Sequence, residues 1–246
     1  MAREAGQPRF EISHAEQPSE TLIAGFTSFG LAGLTAANFL VDELDLVETG
    51  HISVDTLPSI TPFQNGTPHH HTRLFSRSDL DITVLVNELY IPVEVADGFA
   101  ASVLQWAEQH AVQEVTVLSG VPIQHGPEEH EVFFVVTDDY RDEQLVASNI
   151  RGMGRGFLNG VNGGLVAHGM DSAFRVGVFV TPVHAKVPDA EAAIRLVDVV
   201  TERYDVDIDT ADLEKFASDV DQYYQDLEER IKSVQKAEEP EDRMYM

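Results

Sequence analysis

Three sets of residues in this chain have types and spacings that could do chemistry: a glycine run near the N-terminus, clustered histidines, and a C-terminal aromatic. Gly25, Gly30 and Gly33 follow a short apolar run and open a helical pattern. At such strand-turn-helix junctions backbone N–H groups can cradle phosphate. A nucleotide-binding loop of that kind also needs Lys and then Ser or Thr after its last glycine, to reach phosphate and magnesium. Leu31 and Ala32 stand there instead, and the spacing is not that of a dinucleotide fingerprint. The glycines therefore read as a tight turn with close helix–sheet packing, with anion binding at the helix N-terminus as the alternative. A second cluster, from Gly152 to Gly164, reads as backbone freedom or close layer packing.

His69, His70 and His71 invite a metal reading. Alternate residues of a strand share a face, so His69 and His71 could converge there, helped by Asp79, Asp81 or Glu88. Spacing fixes none of those distances, and a solvated loop accounts for all three histidines. His125 and His130, beside Glu128 and Glu129, read the same way. His168 and His184 lie in more regular contexts and could act as general bases. No Gly-x-Ser-x-Gly nucleophile elbow accompanies them. These residues assign no catalytic site, no metal site and no cofactor.

The chain ends in Met244, Tyr245 and Met246, after an acidic stretch interrupted by Pro240. A free carboxylate beside an aromatic anchor is a recurrent format for peptide capture. A tether of ten residues reaches up to about 35 Å.

The elements that must position these residues follow from periodicity. Residues 21–26, 51–57, 72–75, 82–86, 115–118, 132–137 and 174–180 read as strands. Residues 31–44, 92–109 and 190–204 read as helices, with a short helix over 165–170. Strands alternating with helices imply an α/β core domain over residues 1–208, with a mostly parallel sheet covered on both faces. Residues 209–236 form a long amphipathic helix, capped by Asp209 or Thr210. Its stripe is Leu213, Phe216, Val220, Tyr223 and Leu227, at steps of three and four. Such a stripe packs on the domain or forms an oligomer interface. Residues 237–246 form a flexible acidic tail.

Charge then limits the partners. There are 42 Asp+Glu against 16 Lys+Arg, a formal net charge of -26. Such a surface repels phosphate backbones and anionic lipid, so neither nucleic acid nor membrane is an expected partner. With no cysteine, thiol chemistry and disulfides are excluded. No secretory signal or spanning segment is visible, so a soluble cytoplasmic protein is expected. The acid excess is spread along the chain. In about 1 M salt the Debye length is about 3 Å and self-repulsion is screened, so the composition reads as halophilic adaptation.

The run Ala24 to Gly33, continuing into Ala36-Ala37-Asn38-Phe39-Leu40-Val41, resembles the archaeal, and specifically haloarchaeal, branch of the proteasome assembly chaperone 2 family. So do Leu104 to Ala107 leading into Glu114 to Gly120, the stretch Gly160 to Gly169, and Thr181 to Ala193. The resemblance covers roughly residues 21–204. It implies a three-layer α/β/α sandwich like that of nucleoside phosphorylases. It also implies a chaperone that binds proteasome α subunits and forms homo-oligomers. Met244, Tyr245 and Met246 are similar to the hydrophobic-Tyr-any motif of proteasome activators, which inserts between neighbouring α subunits. On that likeness Tyr245 carries the ring and hydroxyl contacts, the Met246 carboxylate pairs with a lysine, and Met244 fills an apolar step. The rival reading is a phosphorylase-like enzyme acting on a nucleoside or small carboxylate, with the Gly30 turn, Arg73 and His184 as its site.

Overall fold

A computed structural model describes residues 9–215, apart from 55–59, 124–129, 147, 185–187, 207, 212, 214. Its nine-stranded sheet has at its centre β2 (Thr21–Phe26), β7 (Ile82–Asn87), β8 (Glu114–Val121) and β11 (Arg175–Pro182). These four run parallel in the order β7-β2-β8-β11. Beyond β7 lie β6 (Thr72–Ser76), β3 (Val47–Val54) and β1 (Phe10–His14), each antiparallel to its neighbour. Beyond β11 lie β9 (Phe133–Val136), antiparallel, and the short β10 (Arg151–Gly152). A small hairpin, β4 (Phe63–Gln64) with β5 (Thr67–Pro68), stands apart from the sheet.

The mixed α/β class agrees with the alternation in the sequence, but the sheet is parallel only at its centre. Parallel neighbours need a long crossover, whereas antiparallel ones need only a short loop. β7 follows β6 after a short turn and no helix, so it returns antiparallel. β1 was not anticipated, because Phe10 and Ile12 alternate over just five residues.

Helices cover both faces. α1 (Ala32–Glu43), α3 (Asp138–Gln144) and α5 (Ala190–Tyr204) share a core with Ile23, Val84, Leu118 and Phe179. α2 (Val93–Gln109) and α4 (Gly160–Met170) share the other with Leu22, Leu85, Val117 and Val178. The two-residue strand period divides the cores: Leu22 and Ala24 face α2, and Ile23 faces α1. β8 is buried over almost its whole length, as a strand covered on both sides must be. α4 starts five residues earlier than its expected start at 165, so glycines 163 and 164 are helical. Gly164 lets α4 approach Ala100 of α2: a Cβ there would sit 2.8 Å from the Ala100 Cβ.

Among the described glycines the tightest approach is made by α1. A Cβ at Gly33 would stand 2.0 Å from the Leu118 carbonyl oxygen, and one at Gly25 would stand 2.3 Å from the Gly33 oxygen. Both obstacles are backbone, which cannot rotate away. At the other end of the strands a buried polar network ties β8, β11 and the helices together. Glu114, 1% exposed, accepts from Arg175 Nε at 3.3 Å and from the Tyr204 hydroxyl at 2.6 Å. Thr116 joins Tyr140 and Tyr204 at 2.8 and 2.6 Å. Burial pushes both phenols up, so they stay neutral and act as hydrogen-bonding groups.

Leu213 is buried in the α1–α5 core. The backbone N–H of Ala211 donates to Asp209 Oδ1 at 3.0 Å, as a capping carboxylate would accept it. Phe216, Val220, Tyr223 and Leu227, and the tail over 237–246, lie outside the described residues.

Gly33→Ala should reduce the unfolding free energy by about 1–3 kcal/mol, the usual cost of overpacking. Gly154→Ala, where an added carbon meets nothing within 4 Å, should leave it unchanged. Chemical unfolding in high salt measures both.

Candidate functional site

The Gly30 turn is a left-handed kink. Gly30 has φ 65° and Leu31 φ 51°, and the pair turns the chain from β2 into α1. Thr27 fixes its start: its N–H and its hydroxyl both donate to the Asn87 carbonyl, at 3.1 and 3.0 Å. Asp189 fixes its end. Its N–H donates to the Gly30 carbonyl at 2.8 Å. Its carboxylate accepts from Ala192 N–H, capping α5, and from the His184 N–H, both at 2.9 Å. His184 Nδ1 stands 3.0 Å from the same carboxylate. Burial pushes the Asp189 carboxyl up, but these donors together outweigh it and hold it below the ordinary range. One aspartate thus joins the turn, the β11–α5 loop and the start of α5. The sequence marked Asp189 only as the residue before a helix.

Beside the turn lies a cleft of about 490 Å³ at the C-terminal ends of the parallel strands. Phe29 and Leu31 of the turn line it, with Tyr90 ahead of α2, Val93 at its first position, and Asn159 and Asn162 at the start of α4. Among the described residues that line it there is no carboxylate, imidazole, ammonium or guanidinium. The cleft can bind by shape, apolar contact and neutral hydrogen bonding. Acid–base work would need a group from elsewhere.

The histidines occupy a different place from the one expected. His69 and His71 do not converge. The His69 Nε2 donates to Glu88 at 2.9 Å, and His71 Nδ1 pairs with the Thr72 hydroxyl at 2.8 Å. His70 stacks on His51 of β3, with ring centroids 3.6 Å apart and parallel planes. His70 and residues 63–68 are exposed, as a solvated loop would be, and Glu88 and His51 join the segment to the sheet. Glu88 also accepts from Arg73 at 3.4 Å, and the guanidinium lies over the Phe75 ring. His168 pairs with Asp97 at 3.0 Å. Of the enzyme reading's three candidates, Gly30 lines the cleft, while Arg73 and His184 do not. His125, Glu128 and Glu129 lie outside the described residues. Among the described residues no group of three or more His, Asp and Glu is arranged to hold a metal ion, and no helix is long and apolar enough to cross a membrane.

Comparison with known proteins gives consistent results. The PAC2 family model matches residues 22–228. An uncharacterized protein of Methanocaldococcus jannaschii is 22% identical over 229 residues, which cover 92% of this chain and 93% of that protein. The fold is similar to that of Pyrococcus furiosus PbaA, an archaeal homolog of proteasome-assembly chaperone. That match has a TM-score of 0.83 at 19% identity, over 93% of this chain and 95% of the other. Pyrococcus furiosus PbaB, an archaeal proteasome activator, matches with a TM-score of 0.76 at 19% identity, over 89% and 98%.

The histidine stitch is sensitive to pH. Burial first, and then the adjacent His70, hold both His51 and His71 below the ordinary 6.5; Glu48 and Glu88 pull the other way. Their contribution to stability is in place above that value and is lost as pH falls through the lowered folded values. His70→Gln removes the second cause. The midpoints of His51 and His71 should rise toward 6.5 without reaching it, as read from ring-proton NMR titrations. Unmoved midpoints would leave burial as the whole explanation.

Proposed function

The chain belongs to the PAC2 family, and from that premise we propose that it is a proteasome-directed assembly chaperone or activator-like factor that binds the α-ring. The observation that carries this reading is the fold likeness, over nearly the whole chain, to both PbaA and PbaB. The folded body is a carrier. The C-terminal Met244, Tyr245 and Met246 are the hook, docking between α subunits through the Tyr245 ring and the terminal carboxylate.

Three residues make too small a contact for tight binding alone. A homo-oligomer presenting several tails to one ring gains avidity through effective concentration. In this proposal the stripe Phe216, Val220, Tyr223 and Leu227 continues from Leu213, which is anchored in the core, and offers one surface for self-association. The acid excess fits work in a salty cytoplasm, as in a haloarchaeon.

A second reading, a phosphorylase-like enzyme on the same three layers, takes support from the position of the cleft at the C-terminal ends of the strands. Among its described lining residues none is charged, which counts against a phosphate or carboxylate substrate that would need a cation.

The experiment is co-purification of the core particle from native cytoplasm in high salt. Tyr245→Ala, and deletion of residues 244–246, should each reduce recovery at least tenfold. Undiminished recovery would remove the tail from the mechanism.

A further inference from the structure

The cleft beside the Gly30 turn opens where two neighbouring parallel strands send the chain to opposite faces. After β7 the chain enters α2, which shares a core with Leu22 and Leu85. After β2 it enters α1, which shares the other core with Ile23 and Val84. Loops that part in this way leave a crevice between them, and in open α/β sheets that crevice is where ligands bind. The walls come from residues 26–31 on one loop and Tyr90 and Ile91 on the other, with Val93 and the start of α4. At about 490 Å³ the space lies within the roughly 300–1,000 Å³ of small-molecule pockets. Residues 185–187, just before the lining Pro188, lie outside the described residues.

The polar groups of the cleft are unspent. Ser28 stands at the N-cap of the single turn Phe29–Leu31, yet its hydroxyl caps nothing. Its Oγ is buried and has no hydrogen-bond partner among the described residues. A buried donor left so is costly, and a ligand that accepts from it removes the cost. Asn162 donates from Nδ2 to the Ser119 hydroxyl at 2.9 Å, which fixes the carboxamide and leaves Oδ1 as an acceptor. Asn159 is the N-cap of α4, and its side chain makes no capping bond. The two amides stand three residues apart, as neighbours on one side of the first turn. Phe29 and Tyr90 are 58% and 63% exposed, so ring surface is open beside them.

Charge narrows the ligand. The starts of α1, α2 and α4 all border the cleft, and helix N-termini disfavour a cation. A net charge of -26, with no basic residue among the described lining, disfavours an anion. We infer that the cleft binds an uncharged planar ring with an amide-type edge, as carried by a free nucleobase or by nicotinamide. The ring stacks against Phe29 and Tyr90. An N–H of its edge donates to Asn162 Oδ1, and its carbonyl accepts from the Ser28 hydroxyl or the Asn159 amide. An asparagine carboxamide presents the donor–acceptor pair that matches such an edge, as it does on adenine. Binding makes and breaks no bond, so the inference stands apart from both the proteasome and the enzyme readings.

Calorimetry on the full chain in high salt tests it with hypoxanthine and nicotinamide, the two sources of this edge. At least one should bind saturably. Nicotinate exchanges the amide for a carboxylate, toluene keeps only a ring, and N-methylacetamide keeps only an amide. Each of these three should bind at least tenfold more weakly. Ser28→Ala should weaken binding at least fivefold and leave the unfolding midpoint unchanged or raised, because the hydroxyl it removes has no partner to lose. Met170→Ala, at the far end of α4, should leave affinity unchanged. The inference is overturned if neither ring saturates, or if toluene or nicotinate binds as tightly as the better of the two. An unaltered affinity or a lowered midpoint in Ser28→Ala would also overturn it.

Discussion

The architecture depends on one steric constraint, the direct seating of α1 on the backbones of β2 and β8. Gly33 against the Leu118 carbonyl leaves no room for a side chain, and Gly25 against Gly33 leaves none either. That contact fixes where α1 begins and so forces the chain through the left-handed pair Gly30 and Leu31. The Gly30 carbonyl is then in place for the Asp189 N–H, and Asp189 in turn caps α5. The cleft is what remains between this rigid turn and the start of α4. Its position follows from this backbone packing.

The acid excess does not disturb the core, where Glu114 is held by Arg175 and Tyr204. A strongly anionic protein can associate only where its own charge is weak or where salt screens it.

The folded body and the proposed terminal hook make different demands on sequence. The body needs apolar strands and small residues at contacts, and its relatives keep the fold at 19% identity. Fold persistence at that level is expected when volume and patterning are kept. A terminal hook needs only a few residues and a reach, and its partner supplies the remaining specificity. PbaA, an archaeal homolog of proteasome-assembly chaperone, and PbaB, an archaeal proteasome activator, share this fold.

The sequence by itself determined the central strands, the three long helices and the need for close packing at Gly25 and Gly33, because apolar period and glycine placement are local signals. It also excluded thiol chemistry and disfavoured a phosphate loop, since those need residue types that are absent at the required positions. Short elements such as β1 and α3 escaped it, because five to seven residues carry too little periodicity. Only the tertiary structure decided that His70 pairs with His51 rather than His69 with His71, that Asp189 locks the Gly30 turn, and that Phe29, Tyr90 and Asn162 border one cleft. Those are juxtapositions of residues far apart in the chain. They are set by strand order and helix seating, which no local pattern encodes.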